Sequence, residues 1–233
     1  HCFGNPCDID AIDKIAKKHN LKVIYDAAHC FGTLYKGKSV FAYGDVSTTS
    51  FHATKLYHTV EGGAVFTQDP EVLKRMAYMR NFGHDGPERF FGVGINGKNS
   101  EFHAAMGVVN LRYVNDILAK RKAQSLAYDK LLSGLQIQKQ KIDSSAEFNY
   151  AYFPVVFETE EIALKMKAAL EKHEIFPRRY FYPSLSSLNY VTGESTAVAD
   201  SIATRILCLP LYHELSEVEQ ELIARILLRT QNN

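Results

Sequence analysis

Apolar residues first recur at helical spacing in Ile9, Ile12, Ile15 and Ala16, behind Asn5-Pro6-Cys7-Asp8, which reads as a turn and N-cap. Lys17, Lys18 and His19 fall in the last turn, where cations complement the helix dipole, and the helix stops near Asn20. Leu21 to Tyr25 follows after almost no loop and reads as a buried parallel strand ending at Asp26. Helix followed by strand predicts an α/β fold. Asp45 to Phe51 and Gly63 to Thr67 read as further strands. Gln68-Asp69-Pro70 turns the chain into a helix from Glu71 to about Arg80. Residues 81–98 are rich in glycine and charge and read as an irregular loop. Ser100-Glu101 opens a long helical stretch to about Leu132, ended by Gly134. A polar segment to Asn149 marks a change of domain, so the chain is divided into 1–134 and 135–233. The second part reads as a strand (Tyr150 to Phe157), a helix (Glu160 to His173), a Pro/Tyr loop, a short strand (Ile206 to Leu209) and a last helix (Ser216 to about Leu228).

Bulk properties narrow the function classes. A hydrophobic content of 46% and a charged content of 23% are ordinary for a globular protein. The formal net charge is +1, so nothing favours nucleic acid or an anionic membrane as partner. No apolar run approaches the roughly 20 residues of a membrane span, and no signal peptide is visible. The cysteines Cys2, Cys7, Cys30 and Cys208 lack Cys-x-x-Cys spacing, so free thiols in a reducing cytoplasm are expected rather than zinc.

The chemistry gathers around a lysine. Lys55 lies in Ser50-Phe51-His52-Ala53-Thr54-Lys55, shortly before Glu61-Gly62-Gly63-Ala64. Upstream, Val23-Ile24-Tyr25 ends in Asp26-Ala27-Ala28-His29. Ligands of α/β sheets bind outside the carboxyl ends of the strands, where Asp26 falls. Taken singly, each residue also has a structural reading. Lys55 could be a solvated surface lysine, Asp26 a turn cap and His29 a half-buried packing residue. Ser50 could be a hydroxyl bonding local backbone, and Asn96 a turn residue beside Gly94 and Gly97.

Together the motifs resemble those of the nucleotide-sugar aminotransferases of the DegT/StrS type, a branch of the fold-type I enzymes dependent on pyridoxal 5'-phosphate (PLP). The residues that carry the resemblance are Val23 to His29, Ser50 to Lys55, Glu61 to Ala64 and Gly94-Ile95-Asn96-Gly97-Lys98-Asn99-Ser100-Glu101. Pro177-Arg178-Arg179-Tyr180-Phe181-Tyr182-Pro183 and Leu207-Cys208-Leu209-Pro210-Leu211 are similar to the family's small domain. The implied fold is part of the large domain, a mostly parallel sheet flanked by helices, followed by a small C-terminal α+β domain.

The resemblance implies a role for each site residue. Lys55 holds the cofactor covalently and moves the proton. Asp26 pairs with the pyridine nitrogen, His29 contacts the ring oxygen and Ser50 binds the phosphate. Asn96 reaches the phosphate of a neighbouring subunit's cofactor, which implies a homodimer with a shared site. Lys98-Asn99 stand where members commonly have Arg-Met. Arg178, Arg179, Tyr180 and Tyr182 make either a diphosphate-recognition loop or an ordinary surface loop. The implied activity is transfer of an amino group, with glutamate as donor, to a nucleotide-linked keto-sugar. The run from Phe51 to Gly63 points to dTDP-4-keto-6-deoxy-glucose, aminated at C4 with C3 as the alternative, for surface polysaccharide such as O-antigen. Members are longer at the N-terminus, and the chain begins with His1 rather than Met, so an N-terminal part is expected to be missing. The rival reading is a truncated remnant that keeps a structural or oligomerisation role without turnover.

Overall fold

In the computed structural model, which describes residues 1–233, helix α1 (Ile9–His19) begins where the Asp8 carboxylate accepts the Ala11 N–H at 2.9 Å. It ends at Asn20, which is left-handed (φ 50°) and donates its N–H to the Ala16 and Lys17 carbonyls. Two compact units make up the chain. The first comprises His1–Leu118 and Ile142–Ala151, the second Ala119–Lys141 and Tyr152–Asn233. Gly134, where the sequence pattern divides the chain, lies in the second unit.

The first unit contains strands β1 (Ile24–Asp26), β2 (Leu34–Tyr35), β3 (Lys38–Ser39), β4 (Val46–Ser50) and β5 (Gly63–Phe66), then helices α2 (Pro70–Arg80) and α3 (Glu101–Leu111). Helix α4 (Val114–Leu131) runs from the first unit into the second, and β6 (Ala146–Glu147) returns to the first. One three-stranded sheet has the order β1-β4-β5, and another the order β3-β2-β6. β1 and β4 are parallel, with Asp26 opposite Thr48. β4 and β5 are antiparallel, with Ser50 opposite Gly63. The expected mostly parallel sheet is therefore mixed. The segment joining β4 to β5 contains no helix, and without a crossover helix the chain folds straight back.

The expected strand at Leu21–Tyr25 starts only at Ile24. The Leu21 N–H is taken by the Ala16 carbonyl at the end of α1, and the Val23 N–H by the Asp45 carboxylate. Leu21 is 57% exposed, so the apolar run there is not a buried one. Side chains alternate across the sheet. Tyr25 faces a core with Ile9, Ala27, Cys30, Tyr35 and Val40. The opposite face, which carries Asp26 and Ser50, is open, with Ile24 70% and Val65 48% exposed.

In the second unit β7 (Phe153–Val156) pairs antiparallel with β8 (Ile206–Leu209), and every residue of β8 is buried. Helices α5 (Glu160–Glu171), α6 (Ala197–Arg205) and α7 (Glu217–Asn232) complete the unit. Its core gathers Tyr128, Phe153, Phe157, Met166, Leu170, Leu207 and Leu227. A capping box starts α7, the Ser216 hydroxyl accepting the Glu219 N–H while the Glu219 carboxylate takes the Ser216 N–H. The single helix expected from 100 to 132 is two. Arg112 and Tyr113 form a turn, donating to the Val109 and Asn110 carbonyls.

Leu207 and Leu164 separate core from surface. Leu207→Ala, at a fully buried site, is expected to cost about 2–5 kcal/mol. Leu164→Ala, 44% exposed, should change stability by no more than about 0.5 kcal/mol. Urea unfolding of the two variants checks the contrast.

Candidate active site

Parallel pairing of β1 with β4 brings both carboxyl ends to one edge of the sheet. Asp26 ends β1, and its carboxylate accepts the Ala28 N–H at 3.0 Å. The chain then turns tightly, with Cys30 N–H donating to the Ala27 carbonyl and Thr33 N–H to the Cys30 carbonyl. His29 projects from this turn, and its Nδ1 accepts the Phe3 N–H at 3.0 Å. That bond leaves the ring proton of the neutral form on Nε2. The Asn149 amide clamps the turn by donating to the carbonyls of His29 (2.8 Å) and Phe31 (2.9 Å). A Cβ on Gly4 would lie 2.1 Å from Asn149 Oδ1, and the φ of Gly4 is +91°, so only glycine leaves room for the clamp.

Ser50 ends β4, its hydroxyl accepting the His52 N–H at 3.3 Å. The segment 51–60 is a closed loop: Phe51 N–H donates to the Gly62 carbonyl, Lys55 N–H to the His52 carbonyl and Thr59 N–H to the Phe51 carbonyl. Three rings tie this loop to the turn that bears His29. Phe31 stacks on Tyr57 at 4.3 Å, and Phe51 meets Tyr57 edge-on at 5.0 Å. Such aromatic pairs contribute about 0.5–1.5 kcal/mol each beyond area burial. From the other side α3 holds the loop, the Asn110 amide donating to the His58 carbonyl at 2.9 Å. Gly107 is the point of closest approach, where a Cβ would meet Tyr57 Oη and Thr59 Cγ2, each at 2.8 Å.

Lys55 is half-buried, and its ammonium makes no hydrogen bond or ion pair. Burial lowers its pKa, and the Asp26 charge opposes that effect without cancelling it. His29 is pulled down to about 4, first by burial and then by the Lys55 charge, with Asp26 again opposing. Asp26, His29 and Lys55 therefore form one electrostatically coupled group. A partly desolvated, uncommitted amine is more readily deprotonated, which suits a nucleophile or a general base.

Asn96 stands apart. It is exposed, forms a bridge with Asn81 and accepts the Lys98 ammonium at 3.0 Å; none of these contacts reaches the other four residues. His52 and His58 serve their own loop, His52 bonding the Thr54 hydroxyl at 2.9 Å and His58 accepting the Val60 N–H at 3.3 Å. In the second unit the Arg179 guanidinium is committed to structure. It bonds Glu160 (2.7 Å) and the Thr204 carbonyl (2.6 Å) and lies over the Tyr182 ring at 3.6 Å. Sequence reading did not single out Gly4, Phe31, Tyr57, Gly107, Asn110 or Asn149 as positioning residues. The only available signal was that Gly4 and Asn149 are residue types suited to turns.

An α/β sheet with an acid at one strand end and a half-buried free lysine beyond the next defines a class of protein that handles a small ligand at that edge. The family model for the DegT/DnrJ/EryC1/StrS aminotransferase family matches residues 1–228, and the chain belongs to that family. It is 40% identical over 223 residues to a dTDP-4-amino-4,6-dideoxy-D-glucose transaminase of Shigella dysenteriae, covering 93% of this chain and 61% of the relative. It is 35% identical over 242 residues to a transaminase of the same description from Escherichia coli, covering 98% and 64%. The crystal structure of DesI in the presence of its TDP-sugar product matches 99% of this chain and 61% of DesI, with a TM-score of 0.90 and 29% identity. The chain thus spans about 61–64% of the length of these relatives. The donor set fits the PLP on which the family depends: a free amine to hold the aldehyde, a carboxylate for the ring nitrogen and a hydroxyl for the phosphate.

The site generates a pH test. His29 titrates near 6.5 when unfolded and near 4 when folded, so the unfolded chain binds the proton more readily. The stability contributed by neutral His29 is complete above about pH 6.5 and is lost as pH falls through about 4. Urea midpoints followed across this window should fall less steeply for His29→Gln than for the parent chain. A second test probes the loop. Gly107→Ala must displace Tyr57 or Thr59, and overpacking of this kind is expected to destabilise by about 1–3 kcal/mol. Its urea midpoint, set beside that of Ala105→Gly at an exposed position of the same helix, separates the contact from the helix-backbone effect.

Proposed function

We propose that this chain carries the cofactor-binding and catalytic residues of a PLP-dependent aminotransferase acting on a nucleotide-linked 6-deoxy keto-sugar. The observation that carries this reading is the free, partly desolvated amine of Lys55 in the field of Asp26, beyond the carboxyl ends of parallel β1 and β4. When bound, PLP supplies an electron sink for the carbon that bears the amino group. Lys55 anchors the cofactor and then moves a proton as base and acid. Asp26 holds the ring nitrogen protonated, His29 addresses the ring oxygen and Ser50 binds the phosphate. Asn96, exposed and outside this group, is assigned to the cofactor phosphate of a second subunit, which makes the working protein a homodimer.

The two transaminases of the same description support dTDP-4-keto-6-deoxy-glucose as substrate, aminated at C4. Glutamate is the donor that the family resemblance implies. The setting is surface-polysaccharide synthesis in the cytoplasm. We assign residues 1–134 to the fold-type I large domain and 135–233 to the small C-terminal domain. The alternative reading is a truncated member of the family that keeps a structural or oligomerisation role without turnover.

Absorbance titration with PLP decides between them. The chain is expected to develop a visible band that is absent in Lys55→Ala, weakened in Asp26→Asn and bleached by glutamate. Amination of dTDP-4-keto-6-deoxy-glucose is then followed by mass spectrometry. If this chain and a version extended to the relatives' full length both stay colourless, the remnant reading replaces the enzyme.

A further inference from the structure

Helices α5 and α7 flank an open cleft of about 450 Å³ within the second unit. Lys165 lines it from α5, Lys172 and His173 from just beyond the end of that helix, and Arg225 and Arg229 from α7. Its floor is apolar, with Leu222 and Ile226, and no carboxylate side chain lines it. None of the four cations forms an ion pair anywhere in the structure.

The ordinary explanation for such cations is complementarity to the helix dipole, which reaches only the last turn. That accounts for Lys172 and Arg229 but not for Lys165 and Arg225, which lie in helix interiors. Glu161 and Glu221 precede these two by one turn, the spacing for stabilising pairs, yet neither pair forms. Elsewhere on α5, Lys167 and Glu171 do pair at that spacing. Four unpaired cations around one cleft repel each other and raise the local concentration of anions. The volume lies in the range of pockets for small ligands.

We propose that this cleft binds a multivalent phosphate anion of nucleoside di- or triphosphate size, with the phosphates on the arginines and lysines and the remainder over Leu222 and Ile226. Arginine forks match phosphate oxygens in pairs. The cleft shares no residue with the Lys55 site and does not depend on the reaction proposed there.

Isothermal titration calorimetry of the full chain with ATP, at fixed ionic strength and in excess PLP, tests it. Saturable binding is expected, weakened by about tenfold or more in Arg225→Gln/Arg229→Gln from the loss of charge-assisted hydrogen bonds. Lys165→Gln should weaken it less, and Lys55→Ala should leave it unchanged. Both arginines are exposed and glutamine keeps the helix, and circular dichroism confirms folding. No saturation up to ~1 mM, or equal affinity in the double variant, overturns the proposal. Orthophosphate binding as tightly as ATP would overturn the assignment to a multivalent ligand.

Discussion

The pairing of β1 with β4 is the constraint on which the site depends. Because the strands are parallel, Asp26 and Ser50 leave the sheet at the same edge, and the loop bearing Lys55 starts from that edge. The register is fixed by burial. Tyr25 and Ala27 belong to the core with Ile9 and Val40, so Asp26 between them must face the other way. A slip of one residue would bury the carboxylate and expose Tyr25, since side chains alternate across a strand. The hydrophobic core beneath the sheet thus determines where the acid above it stands.

A balance of opposing effects sets the chemistry at that edge. Burial favours the neutral form of Lys55, while Asp26 favours the charged form, and burial prevails. The same neighbours act on His29, where burial and the lysine charge outweigh Asp26. The Phe3 N–H adds geometry, because a proton on Nδ1 would turn its acceptor into a second donor. Asp26, itself exposed, opposes the effect of burial at both groups.

Legibility in the sequence followed locality. Asp26, Ser50 and Lys55 sit at strand ends or in the adjoining loop, and an apolar run, a β-branched stretch and the short motifs around them made them legible. The Asn149 clamp joins positions 120 residues apart, and the stacking of Phe31 on Tyr57 joins two separate loops. No local pattern encodes either contact. The turn at Arg112 and Tyr113 was equally silent, because neither glycine nor proline marks it and the helical periodicity continues across it. Leu21 to Val23 misled for the opposite reason. An apolar run looks like a strand whether its N–H groups enter a ladder or are taken by a helix end and a carboxylate.

The open face has an energetic consequence. Leu56 and Tyr57, both 7% exposed, follow Lys55, the Phe31–Phe51–Tyr57 rings pack together, and the desolvation of the amine is present while this face is open. It does not require a cover over Asp26. Any group laid on that face, whether a ring, a second subunit or more of the same chain, would remove water from the carboxylate as well. Their attraction would then strengthen as the effective dielectric falls. Asp26 would then favour the cationic form of Lys55 more strongly, and deeper burial would oppose it more strongly. Occupancy of the open face therefore adjusts the same opposition of burial and charge that the bare sheet edge already contains.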